Sequence, residues 1–182
     1  MKGLLVFWIL AGLGLGHAFG SDTPEAYVRG IQMAKEGRYQ EALTLLQQVA
    51  KEHPHHPGLH YNMGNVLFRL GEYSEAERAY RKAIQEDPRD TDALYNLAMT
   101  YSMLDDMARA LEALQEVVKI RPQDGEAHYR LAMGYFSLRY WNQADLHMQK
   151  AKAAGYPVPR DLEDALRANL PPPSKGAKGR NP

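Results

Sequence analysis

The sequence predicts an all-α fold, an α-solenoid of four helix–turn–helix units followed by a C-terminal capping helix. Three observations carry that expectation. Tyr27, Tyr61, Tyr95 and Tyr129 fall at a constant spacing of 34 residues. Ala42, Ala76, Ala110 and Ala144 keep the same interval, as do Pro54, Pro88 and Pro122, with Pro157 one place late. Between these landmarks, apolar and small residues recur at three- and four-residue steps in two blocks per period, the pattern of two amphipathic helices. Self-similarity at this period indicates stacked helical hairpins, none of which can bury its apolar face alone. Such an array builds an extended surface for another chain and offers no obvious enclosure for a reaction.

In register the units run over residues 23–56, 57–90, 91–124 and 125–158. Thr23 and Pro24 are expected to cap the first helix, and Asp124 the first helix of the last unit. The second unit is the most regular. Leu59, Met63, Val66, Leu67 and Leu70 form its first apolar block, and Tyr73, Ala76, Ala79, Tyr80, Ala83 and Ile84 its second. Gly71 lies between them, where a tight turn favours a positive φ. Pro57 is expected to open the first helix, where a missing N–H costs nothing, and Pro88 to stop the second. Small residues mark the close contacts: Gly30, Gly64, Ala98 and Ala132 are in register, and the four alanines from Ala42 to Ala144 follow twelve places later. Leu46, Tyr80, Leu114 and Met148 are placed to fill the space beside them.

Residues 159–170 carry Leu162, Ala165, Leu166 and Leu170 on one helical face, with Asp161, Glu163 and Asp164 near the start, where acids suit the helix dipole. This segment reads as a solvating cap over the last repeat. Pro171, Pro172 and Pro173 end it, and residues 171–182, rich in Gly, Pro and Lys, are expected to be disordered and basic.

The first twenty residues differ from the rest. Lys2 precedes an apolar run from Leu4 to Leu15, and Ala18 and Gly20 hold the small-residue places before Ser21. This predicts a secretory signal peptide cleaved after Gly20, and with it an exported, periplasmic location. The alternative is an uncleaved membrane anchor, although the run is short of the roughly 20 apolar residues a span needs. The chain contains no cysteine, which excludes disulfides, thiolate metal sites and a cysteine nucleophile. Without Lys2 the balance is 21 basic against 22 acidic residues, and no basic face points to nucleic acid.

The second unit also carries a recognisable motif: Tyr61-Asn62-Met63-Gly64-Asn65, then Gly71-Glu72-Tyr73-Ser74-Glu75-Ala76, Tyr80, Ala83 and Pro88. This resembles the tetratricopeptide repeat family over residues 23–158, which implies a right-handed superhelix. Departures from the family pattern are Ala26, His60 and His128 at the large opening position, Arg29 at a core leucine position, and Asp105 and Arg139 in place of the turn glycine. The resemblance implies that the first helix of each hairpin lines a concave face. That places Tyr27 and Ile31 there in the first unit, and Tyr61, Asn65, Phe68 and Arg69 in the second. Tyr95, Asn96, Met99 and Ser102 follow in the third, and Tyr129, Arg130, Met133 and Phe136 in the fourth. Tyrosines with amide and guanidinium groups suit an extended peptide, giving contact area and hydrogen bonds at low entropic cost. The competing role for the tyrosines is packing of repeat against repeat. A lysine–asparagine–arginine clamp for a peptide carboxylate, known in the family, matches only at Asn65, Asn96 and Arg130, because Tyr61 and Glu126 stand at the lysine places.

His53, His55, His56 and His60 are the one cluster with ligand chemistry. A helix starting near Pro57 would put His56 and His60 on one face, yet no Asp, Glu or Cys completes a site. No metal, cofactor or catalytic residue is predicted, since phosphate loops, nucleophile elbows and cofactor fingerprints are missing from the sequence. The expected function is a non-enzymatic adaptor of the cell envelope binding a protein or peptide partner, with membrane contact only through partners. Two alternatives remain at this point: a structural homo-oligomer, and a small-ligand or metal carrier using the histidine junction.

Overall fold

The computed structural model describes residues 24–170. The signal-peptide and basic-tail expectations fall on residues outside that range, as does Thr23. Nine α-helices and no strand are present among the described residues. They form four antiparallel hairpins: α1 (Glu25–Lys35) with α2 (Tyr39–Glu52), α3 (Leu59–Leu70) with α4 (Tyr73–Glu86), α5 (Thr91–Met103) with α6 (Met107–Ile120), and α7 (Gly125–Ser137) with α8 (Trp141–Ala153). A last helix, α9 (Arg160–Asn169), closes the array on α8. Within each hairpin the helices pack on each other, and the second helix of each packs on the first helix of the next. Helices α1, α3 and α5 also touch in succession, which lines them up along one side of the solenoid.

The small residues set the hairpin spacing. Ala42, Ala76, Ala110 and Ala144 are all essentially inaccessible. A Cβ on Gly64 would lie 2.6 Å from the Tyr80 ring, and one on Gly30 would lie 3.2 Å from Leu46. Glycine is therefore imposed at residue 64 by a buried ring. Ala98 packs with Leu114 and Ala132 with Met148 in the corresponding contacts. Leu162 and Leu166 of α9 join the Ala132–Met148 cluster, so the cap covers an apolar end that would otherwise meet water. The opposite end has no such cover among the described residues. Arg29 sits where later repeats place Met63, Leu97 and Leu131, and it is exposed.

Helix boundaries follow local chemistry. Asp90, Asp106 and Asp124 are N-caps whose carboxylates accept from the backbone N–H of Ala93, Arg109 and Ala127 at 2.9–3.0 Å. Pro24 precedes α1 without a side-chain cap bond. Pro57 does not open α3. Gly58 adopts φ +74° and the helix begins at Leu59, because a left-handed residue cannot be part of a right-handed helix. The turns within hairpins share one conformation: Gly37 and Gly71 have φ of +79° and +80°, and Asp105 and Arg139 are held at +59° and +61°. No helix among the described residues is long and apolar enough to cross a membrane.

Candidate peptide-binding groove

The inner face is built from the first helices of the hairpins, and most of its polar groups are tied from one repeat to the next. Asn62 Nδ2 donates to Tyr27 Oη at 2.8 Å, and Asn96 Nδ2 reaches Tyr61 Oη at 3.4 Å. The Arg130 guanidinium lies 5.8 Å from the Tyr95 ring centroid. Each reaches back 35 residues, so one register of polar side chains repeatedly clasps the preceding tyrosine. Asn65 Oδ1 accepts from both Tyr80 Oη, at 2.8 Å, and Asn96 Nδ2, at 2.9 Å. Tyr95 Oη donates to the Asp124 cap at 2.6 Å. Burial, and then that carboxylate, push the Tyr95 phenol above its ordinary value and keep it a donor. Tyr27, whose phenol is also raised by burial, is 3.5 Å from the Pro57 carbonyl, and its ring packs at a tilt against His56, centroids 4.1 Å apart.

The other aromatic members pack within their own repeats. Tyr129 stacks on Tyr156 at 5.2 Å, Phe136 meets Trp141 edge-on at 5.2 Å, and Phe68 meets Tyr73 at 5.3 Å. Arg130 donates from Nε and a terminal nitrogen to Glu126 at 2.9 and 2.6 Å. Tyr27, Tyr61, Asn62, Asn65 and Asn96 thus serve inter-repeat packing, Arg130 adds its contact with the Tyr95 ring, and what these groups leave open to solvent lies between them.

Two hollows remain along this face. Between α1 and α3, a cavity of about 320 Å³ is lined by Ile31, Ala34, Lys35, Tyr39, Asn62, Asn65, Val66 and Arg69. Between α5 and α7, a cavity of about 420 Å³ is lined by Tyr95, Ala98, Met99, Ser102, Met107, Ala110, Leu114, Tyr129, Arg130, Met133, Gly134, Ser137 and Tyr156. Met99 and Met133 are 37% and 42% exposed, large apolar side chains left without a partner on the chain's own surface. A Cβ on Gly134 would press to 2.7 Å from Leu111, so the floor of this cleft is as close as backbone allows.

The histidine junction is dispersed. His53 and His55 are exposed, His56 lies before α3 and His60 within it, so the expected shared helical face does not form. His60 Nδ1 is 2.7 Å from Glu86 Oε1, a tie between α3 and α4. No group of three or more His, Asp or Glu side chains among the described residues is placed to hold a metal ion. A different pair does converge. His128 Nε2 is 3.0 Å from the Pro122 carbonyl, which can only accept, so His128 Nδ1 is left to accept from His147 Nδ1 at 3.0 Å. Burial, and then His128 and Lys150, hold the His147 imidazole at about 4. Three groups that the sequence did not single out also line the groove or close its floor: Lys35, Met107 and Tyr156. Lys35 carried a signal, since it stands 34 residues before Arg69. Tyr156 did not, because it is brought in by the turn after α8, where its N–H bonds the Ala151 carbonyl.

Two tetratricopeptide repeat profiles match the chain, one over residues 33–81 and one over 61–125, together spanning just over half of it. The chain belongs to the tetratricopeptide repeat family. Among solved structures it is similar to a MamA RS-1 double mutant, at 27% identity and a TM-score of 0.68, over 71% of this chain and 73% of that one. It is also similar to MamA from Desulfovibrio magneticus RS-1, residue 41 to the end, at 24% identity and a TM-score of 0.63, covering 77% and 75%. The first tetratricopeptide repeat domain of Spaghetti (RPAP3), bound to the HSP90 peptide SRMEEVD, aligns at 23% identity and a TM-score of 0.58, covering 62% and 90%. No curated protein sequence matches significantly. As a tetratricopeptide repeat protein the chain falls among interaction scaffolds.

Proposed function

We propose that this tetratricopeptide repeat protein is an exported, non-enzymatic adaptor of the cell envelope that binds an extended segment of a partner protein along its inner groove. The observation that carries the reading is the cleft between α5 and α7, where Met99 and Met133 stand exposed above a floor of Ala98, Ala110 and Gly134. Methionine is flexible and polarisable, so it moulds to an incoming side chain, while the locked tyrosines around it supply rigid walls. Binding of a peptide in the related Spaghetti domain supports the mode of use. The present groove departs from a carboxylate clamp at the sites where lysines would stand, which Tyr61 and Glu126 fill. Export is supported by Lys2, the apolar run from Leu4 to Leu15, and the small Ala18 and Gly20.

Photo-crosslinking in intact cells tests the assignment. A photoreactive side chain at residue 99 or 133 should yield a discrete adduct with a partner polypeptide, and one at residue 78, on the exposed side of α4, should not. Equal adducts from all three positions would place binding elsewhere. N-terminal sequencing of the exported chain should begin at Ser21, and an intact Met1 would favour the anchor.

A further inference from the structure

The two hollows of the groove differ in chemistry, and their order constrains what can occupy them together. Around the hollow between α1 and α3, Lys35 and Arg69 are both exposed, and neither is ion-paired with a carboxylate among the described residues. No Asp or Glu lines that hollow. Arg69 spends Nε on Tyr39 Oη at 3.0 Å, which fixes the guanidinium and leaves its two terminal nitrogens for a bidentate acceptor. Asn65 accepts two hydrogen bonds at Oδ1, which orients its amide N–H₂ as a further donor at the same wall. The hollow between α5 and α7 is the reverse. Its one charged lining residue, Arg130, is already bound to Glu126, and Met99 and Met133 dominate its mouth.

We propose that the groove takes an extended protein segment with a carboxylate side chain and a bulky apolar side chain about six residues apart, the first held by Lys35 and Arg69 and the second seated between Met99 and Met133. The spacing comes from the architecture. The hollows are two repeats apart, neighbouring first helices touch and so lie about 10 Å apart, and an extended chain advancing about 3.3 Å per residue covers two such steps in about six residues. The inference rests on the groove reading above and adds to it the polarity and composition of the partner. Each half is physically incomplete alone. An exposed cation pair binds a carboxylate weakly in water, and one apolar cleft selects no sequence. Joined on one strand, the second contact forms at high effective concentration, so the pair sets both affinity and register.

Selection of random dodecapeptides displayed on phage against the immobilised full chain reads this directly. The expected consensus has Asp or Glu about six residues from Leu, Ile, Met, Phe or Trp. A synthetic peptide of that consensus, followed by fluorescence anisotropy, should lose at least about tenfold in affinity with the Lys35→Glu, Arg69→Glu double variant, and separately with Met133→Glu. Replacing its carboxylate by an amide should weaken binding to the native chain but not to the double variant, and placing lysine there should restore binding to the double variant. Circular dichroism should show all variants fully helical. A consensus that is apolar without acids, or an affinity indifferent to the double variant, overturns this proposal and leaves the groove reading standing. No enrichment at all, or binding unaffected by both the double variant and Met133→Glu, overturns both.

Discussion

The groove halves contributed by the first two and the last two repeats occupy the same register positions yet carry opposite chemistry. Residues 35 and 69 are Lys and Arg, while 103 and 137 in the same row are Met and Ser; residues 65, 99 and 133 run Asn, Met, Met. The helix contacts behind them scarcely vary, with Gly or Ala at 30, 64, 98 and 132 and Ala at 42, 76, 110 and 144. The difference teaches where physical constraint is strong. A side chain pressed against a neighbouring helix must be small in every repeat, because an added methyl meets the Tyr80 ring at residue 64 and the Leu46 side chain at residue 30. One that projects into an open groove meets only water, so nothing in the fold forces the repeats to agree.

Substitution at the uniform positions should have the largest effect. Gly64→Leu drives new atoms into the Tyr80 ring, and Ala76→Leu overfills a fully buried site. Each should lower stability by about 1–3 kcal/mol in urea denaturation, against within about 0.5 for Arg78→Ala on the exposed side of α4. Equal midpoints would erase the distinction between contact and groove positions. Next comes a tie inside the last half, from α5 to the cap of α7. Tyr95→Phe leaves the Asp124 carboxylate without its phenol donor and should cost about 1–3 kcal/mol, whereas Tyr129→Phe, whose ring stacks on Tyr156, should cost within about 0.5.

Acid should act on the last repeat. His147 takes up a proton near 6.5 when unfolded but only near 4 when folded, so the unfolded state binds more protons between those values. Stability present above pH 6.5 is therefore lost progressively as pH falls toward 4. The melting temperature of the native chain should fall over that window by a few degrees more than that of His147→Gln. Hydrogen exchange should locate the loosening in α7 and α8, and identical slopes would remove the pair from the account. The smallest effect lies in the turns. The first two repeats use Gly37 and Gly71, and the last two hold Asp105 and Arg139 at positive φ. Asp105→Gly and Arg139→Gly should each stabilise by about 0.5–1 kcal/mol, since relief of left-handed strain exceeds the added chain entropy.

The fold was legible because its determinants are local and repeated. A period of 34, two amphipathic blocks per period and small residues in register describe a helical hairpin four times over. Legibility ended where one residue's backbone decides the outcome. Gly58 at φ +74° moved the start of α3 past Pro57 and separated His56 from His60, which no periodicity reveals. In the groove, the sequence placed tyrosines, asparagines and Arg130 on the first helices but could not say whether they faced a partner or each other. The bonds of Tyr27 with Asn62, Tyr61 with Asn96 and Tyr95 with Asp124, spanning 29 to 35 residues, depend on how one repeat sits on the next.

The sequence by itself determined the repeat, the helix pairs, the contact positions, and the missing thiolate chemistry, because each follows from residue type and spacing along a single helix or hairpin. Tertiary structure alone decided which polar groups are spent on packing and which remain for a partner. Asn65 and Asn96 look alike along the chain, yet Asn65 Oδ1 is already committed to Tyr80 and Asn96, and Asn96 Nδ2 to Asn65 and Tyr61, while the Asn65 amide N–H₂, Lys35, Met99 and Met133 stay open. Side-chain satisfaction depends on distances between groups far apart in sequence, and those distances are fixed only when repeats stack.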